Sequence, residues 1–304
     1  MDLPNKQSGQ ALMIVLLSLA AVGAVALTIS SRSTTDVTTT TNVEESQRAF
    51  SAAEAGVERI LYDRSIISGG QASGSVGSSD AQFSAVTTYV PESTNQREFQ
   101  YPFPLSAGES ATLWLVGHNS DNELSCSGGS TVSPGDPESC FNGSQISMCW
   151  GALGGTTRSA MEVAVYYKTS TGLSRVKRLA IDPDTTRRGS NAFSAPTASN
   201  ESTGACTIGG KQYAYQSTID FNALGITNYA STGALQMIRV RSLYNAVPVE
   251  LGFSSGVNLP IQGIRIDSAG SAGLSTRRIN AYSLFPAIPD MFDAALFSPP
   301  GLSK

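Results

Sequence analysis

Proton transfer near neutral pH most often uses histidine, and the only histidine is His118, in "GHNSDNE". A Ser-His-Asp or Cys-His centre would need it as the base. No GxSxG-like elbow or other nucleophile signature accompanies it, so it reads as an exposed or capping residue on a loop. Carboxylates cluster at Asp121 and Glu123, at Asp136 and Glu138, and at Asp182 and Asp184. Loop oxygens of this kind suit a hard cation such as calcium, but none has EF-hand spacing. Nothing selects a pair for glycoside hydrolysis either, and they read as solvated turn acids. No glycine pattern follows a strand and opens a helix, as phosphate cradles require. Arg239, Arg241 and Arg265 could make a small anion-binding patch, but the solvated face of a sheet is the preferred reading. Trp114, Trp150, Tyr166 and Tyr167 lie in apolar stretches and read as core. These residues point to no enzyme, no metal centre and no cofactor.

The cysteines are Cys126, Cys140, Cys149 and Cys206, with no CxxC pair to hold zinc. An even count behind an export-like segment favours two disulfides in an oxidising compartment. Three connectivities are open. Cys126–Cys140 with Cys149–Cys206 is preferred, because "CSGGSTVSPGDPESC" reads as a surface loop closed by its own ends. Closing that loop contributes about 3 kcal/mol in the chain-entropy model. Free buried thiols are the alternative.

The 304 residues carry a net charge of −4, and only 14% are charged. No basic stripe is present to neutralise phosphates, which argues against a nucleic-acid site. The abundance of Gly, Ser and Thr suits a β-rich extracytoplasmic domain.

Such residues must be held by elements, and the first is unmistakable. From Ala11 to Ile29 the only polar residues are Ser18 and Thr28. As a helix this run is about 28 Å long, enough to cross the hydrocarbon core. A secretory signal would have a shorter apolar core and a basic front, although Ala24-Val25-Ala26 could serve as its cleavage site. The Thr-rich stretch 34–41 follows, expected to be a weak or locally broken helix. Then comes "NVEESQRAFSAAEAGVERILYDR" (42–64), where Val43, Phe50, Ala53, Val57, Ile60 and Leu61 form one helical stripe.

A short polar leader ending in Gly, an apolar helix and an amphipathic continuation resemble a type IV pilin-like precursor. The closest variety is the minor pilins with a PilX-type N-terminal region and a class III-like leader. "SGQALMIVLLSL" is similar to their leader junction, and "QRAFSAAEAGVERIL" to their AEAG-bearing helix. The resemblance covers about the first fifth of the chain. It implies that prepilin peptidase cuts between Gly9 and Gln10, making Gln10 a methylated N-terminus. Gly23 matches the place where many pilins loosen their helix in a filament, and Ala53, Glu54, Ala55 and Gly56 match the AEAG element. Most major pilins carry Glu at the fifth mature position, and here that slot holds Ile14. That carboxylate is thought to neutralise a neighbour's buried N-terminal ammonium, and an unpaired ion costs several kcal/mol. The resemblance therefore implies a minor subunit suited to the filament tip. Its partners would be other pilin subunits, prepilin peptidase and the assembly platform. The chain would cross the cytoplasmic membrane once and later reach an extracellular pilus. A plain anchor, or a membrane-anchored or secreted β-rich adhesin outside any pilus, is the alternative.

Beyond Arg64 helical periodicity does not return, and "SIISGGQASGSVGSSD" (65–80) reads as a connector. Short β-branched and aromatic runs then recur at 81–90, 111–118, 146–153, 161–169 and 173–181, the last two as a hairpin. Residues 181–205 read as a long loop or a lobe boundary near 182–206. Further strands are expected at 213–221, 235–245, 247–253, 261–270 and 276–286, the last two joined by "SAGSAGLS". Alternation of Ile238 and Val240 with Arg239 and Arg241 predicts a sheet with one wet face, hence antiparallel. The tail from Ala287 is expected to lie across the domain. The fold class is α+β: a leader (1–9), a long helix (10–64) and an antiparallel β-rich domain (65–304).

Overall fold

Ser8 to Tyr62 form one unbroken α-helix, α1, in the computed structural model. The structure describes residues 8–63, 70–77, 80–92, 94–129, 132–133, 135–155 and 157–289. Most of the leader, part of the 65–80 connector and nearly all of the tail fall outside them. The Thr-rich stretch does not break the helix. Thr40 and Thr41 donate their hydroxyls to the carbonyls of Asp36 and Val37, at 2.9 and 3.0 Å. These bonds satisfy the side chains without unwinding the backbone.

The strands are, in chain order, β1 (Gln71–Ser75), β2 (Gln82–Val90), β3 (Glu98–Gln100), β4 (Ser110–Trp114), β5 (Gly117–His118), β6 (Leu124–Ser125), β7 (Gln145–Trp150), β8 (Ala160–Lys168) and β9 (Ser174–Ile181). A short helix α2 (Thr185–Asn191) follows. Then come β10 (Ala198–Ser199), β11 (Cys206–Ile208), β12 (Lys211–Tyr213), β13 (Tyr215–Asp220), β14 (Leu235–Leu243), β15 (Leu251–Ser254), β16 (Gly263–Ala272) and β17 (Ser275–Leu284). A long N-terminal helix and a C-terminal antiparallel β-rich domain make the fold α+β, as the sequence predicts.

The chain divides into two compact units. The first holds α1, Gln71–Ala85 and Asp267–Ile279, and so takes β1 whole and parts of β2, β16 and β17 from the four-stranded sheet of order β1-β2-β16-β17. Strand β1 lies in the stretch read as a connector, so that expectation is corrected. The polar sequence "QASGS" carries no strand signal and pairs because β2 offers it an edge. The turn between β16 and β17 is also tighter than "SAGSAGLS" suggests, because β16 continues through Ala272.

The second unit runs chiefly from Val86 to Ile266. Its five-stranded sheet has the order β10-β13-β7-β15-β3, and its four-stranded sheet the order β4-β14-β8-β9. Hairpin β8–β9 forms in the expected place, with Val163 opposite Leu179 and Val165 opposite Lys177. Both sheets feed one core, where Leu113, Val163, Ile238 and Val240 meet Met148, Trp150, Ile219 and Phe253. Burying a large apolar side chain contributes roughly 1.5–3 kcal/mol, so this cluster is the main driving force of the unit. One expectation fails here: β14 has no wet face at its centre. Arg239 is only 3% exposed and donates to Thr112 Oγ1 at 3.0 Å.

Residues 181–205 lie inside this unit as α2, β10 and the connections around them. Asp184 caps α2 by accepting from the backbone N–H groups of Thr186 and Arg187. An Asp three residues ahead of "RRG" is an N-cap signal that periodicity alone misses.

Candidate functional site

The N-terminal helix carries Gly9, Gln10, Ile14, Gly23 and the AEAG element. Its apolar half is fully exposed: Ile14 has 68% of its surface free. A Cβ placed on Gly23 would meet nothing within 4 Å. The helix is long and apolar enough to cross a membrane, by length and composition. Its two polar side chains fold back on their own backbone. Ser18 donates to the Val15 carbonyl at 2.9 Å and Thr28 to the Ala24 carbonyl at 2.8 Å. Neither hydroxyl is thus left for an apolar surrounding to starve. Gly9 and Gln10 lie in the first turn, and their side chains lie outside the described residues.

The other half is held against the sheet of the first unit by small residues. The buried stripe is Ala49, Ala52, Ala53, Gly56 and Ile60. The expected stripe shared only Ala53 and Ile60 with it. Val43, Phe50 and Leu61 are about half exposed instead. The reason is distance of approach. Gly270 on β16 lets the strand backbone come so close that any Cβ there would fall on Ala49 O and Ala53 N. A Cβ at Gly56 would meet the Ser268 hydroxyl and, at 3.0 Å, the Phe83 ring. Within the AEAG element, Ala53 and Gly56 are therefore the packing face, Ala55 is half-buried and Glu54 points to solvent.

Polar contacts lock this docking in register. Ser268 Oγ donates to the Ala53 carbonyl at 2.7 Å, in a buried bond. Glu45 Oε2 accepts from the Leu274 backbone N–H at 3.0 Å, and Ser46 Oγ accepts from Arg277 Nε at 2.8 Å. Arg48 reaches Glu44 at 2.7 Å in the favourable helical spacing and Asp80 at 3.8 Å.

The cysteines pair as Cys126–Cys140 and Cys149–Cys206. The second bond ties hairpin β11–β12 to β7.

Residues considered for chemistry are dispersed. His118 is a correction: it sits on β5, 2% exposed, not on an open loop. Its ring stacks on Phe285 at 3.9 Å and meets Trp114 edge-on at 4.8 Å. Burial pushes its pKa down to about 4. Asp182 is also buried rather than solvated. Burial would raise its carboxyl pKa, but Arg187, the Asp184 N–H and Asn191 donate to it and hold it below the usual value. Glu138 is lowered by hydroxyl donors from Ser127 and Ser125. Among the described residues, no three His, Cys, Asp or Glu side chains gather closely enough to hold a metal ion. Arg241 donates to the Gly108 carbonyl and Arg265 pairs with Glu92 at 3.0 Å, so the three arginines form no common patch. Trp150 is fully buried, whereas Trp114, Tyr166 and Tyr167 are half-buried.

No family model, no curated protein and no solved structure matches this chain.

Proposed function

We propose that this chain is a minor subunit of a type IV pilus or related filament, suited to its tip. Prepilin peptidase would cut it at Gly9 and assembly would proceed through α1. The observation that carries this reading is the two-part helix. One half is apolar with its polar side chains turned inward, and the other is docked through the Ala53–Gly56 element. Such a helix can lie in lipid and later in a bundle of like helices, because both surroundings are apolar and a helix pairs its interior backbone groups within itself. Ile14 in place of a carboxylate fits a subunit that need not neutralise a partner's N-terminus. The β-rich domain would then face outward. The localisation proposed is the cytoplasmic membrane before assembly and the cell-surface filament after it.

Mass spectrometry of the mature N-terminus tests this. Methylated Gln10 is the expected result. Leu27 at the N-terminus would identify a secreted β-rich binding protein, and an intact Met1 a plain anchor. Quantitative proteomics of sheared filaments should find the chain at low copy number, and finding it as the bulk subunit overturns the minor-subunit reading.

A further inference from the structure

The second unit contains a groove that the helix-based reading leaves unused. Its source in sequence is "EFQYPFP" (98–104), where polar and aromatic residues alternate until the prolines end the strand. Tyr101 and Tyr282 line a cavity of about 560 Å³. Phe103 bridges their rings edge-to-face, at 5.9 and 6.3 Å. A second cavity of about 350 Å³ is lined by Ser159 and shares Pro104 and Glu250 with the first, so the two adjoin. Phe103 and Tyr282 are 47% and 40% exposed, a large apolar area to leave in water.

The polar groups are set for hydroxyls rather than ions. Glu98 holds one oxygen in the framework, accepting from Asn95 Nδ2 at 3.1 Å and Gly209 N–H at 2.8 Å. Glu250 pairs one oxygen with Lys211. No described residue bonds the other oxygen of either carboxylate. Glu92 is paired with Arg265, so two of three carboxylates already face cations. The Ser159 hydroxyl is buried, 1% exposed, and has no partner among the described residues. A buried hydroxyl left unpaired costs about 1–3 kcal/mol, which a ligand that bonds it would recover.

We infer that this groove binds a neutral oligosaccharide. Sugar rings present an apolar C–H face to aromatic rings and hydroxyl edges to oriented carboxylates. The larger cavity, of about 560 Å³, gives room for more than one ring. Charged ligands fit less well, because the local charges are largely matched. The inference concerns the second unit alone and does not rest on the filament reading.

The test is calorimetric titration of the full chain in detergent with maltohexaose, cellohexaose and chitohexaose. At least one should bind, and Tyr282→Ala and Glu98→Gln should each weaken it roughly tenfold. Ser159→Ala should weaken binding while leaving the thermal midpoint unchanged or raised, since it removes an unpaired buried group. Absence of binding to all three sugars overturns the inference, as does equal binding by the first two variants. Loss of stability in Ser159→Ala would assign that hydroxyl to the framework and overturn its role as a ligand contact. A proline-rich decapeptide that binds in place of the sugars, and is weakened by the same variants, would make the groove a peptide site and overturn the inference as well.

Discussion

His118 shows how one buried ring can make stability depend on pH. Burial lowers its folded pKa from the ordinary 6.5 to about 4. Above pH 6.5 the ring is neutral in both states and its burial is undisturbed. Between 6.5 and 4 the unfolded chain takes up a proton that the folded ring refuses. Stability therefore falls as pH drops through that window, by up to about 3 kcal/mol. Urea titrations at pH 7 and 4.5 should show this loss, and His118→Phe should reduce it. Asp182 and Asp184, whose folded pKa values lie below 3.8, add a separate loss at lower pH as they finally protonate. Asp182→Ala should cost about 2 kcal/mol through the loss of its bonds to Arg187 and Asn191, measurable as a lower urea midpoint. Neither burial was legible in the sequence. The ring that covers His118 belongs to Phe285, far along the chain, and local composition around His118 is polar.

At the scale of elements, the docking of α1 depends on the absence of side chains. Gly270→Val should place atoms where Ala49 O and Ala53 N already lie, forcing helix and strand apart. A cost of at least about 2 kcal/mol is expected, read as faster proteolysis near residues 45–60. Gly56→Leu should act similarly, whereas Glu54→Gln on the exposed face should be within about 0.5 kcal/mol of neutral. Hydrophobic periodicity predicted the helix but chose the wrong face, because it ranks Val43, Phe50 and Leu61 above alanine and glycine. Close approach to a strand favours small residues, a criterion that a hydropathy pattern does not contain. Strands with clear alternation, such as β8 and β14, were legible. The short polar β1, β10 and β12 were not, since their pairing partners specify them.

Over the whole molecule, the α+β class and the antiparallel pairing followed from one long apolar run and many short alternating ones. The division into units did not, because the first unit joins α1 to the final strands. The Cys149–Cys206 bond closes a span of 57 residues. Removing it should cost about 4 kcal/mol in the chain-entropy model. Since Ile208 and Gly209 on that hairpin also line the groove, Cys149→Ser/Cys206→Ser should weaken any groove ligand along with lowering the thermal midpoint. The Cys126→Ser/Cys140→Ser pair, whose residues do not line it, should lower the midpoint only.

The bonds from α1 to β16 and the turn that follows it have a mechanical side. Ala53 is tied to Ser268 and Glu45 to Leu274, across more than two hundred residues of chain. Tension drawn along the helix axis enters the C-terminal hairpin directly, without travelling through the residues between. It meets the Gly270 contact and several hydrogen bonds side by side, so they must slide together instead of peeling one after another. A pull on this helix is therefore resisted first by the last hairpin of the chain.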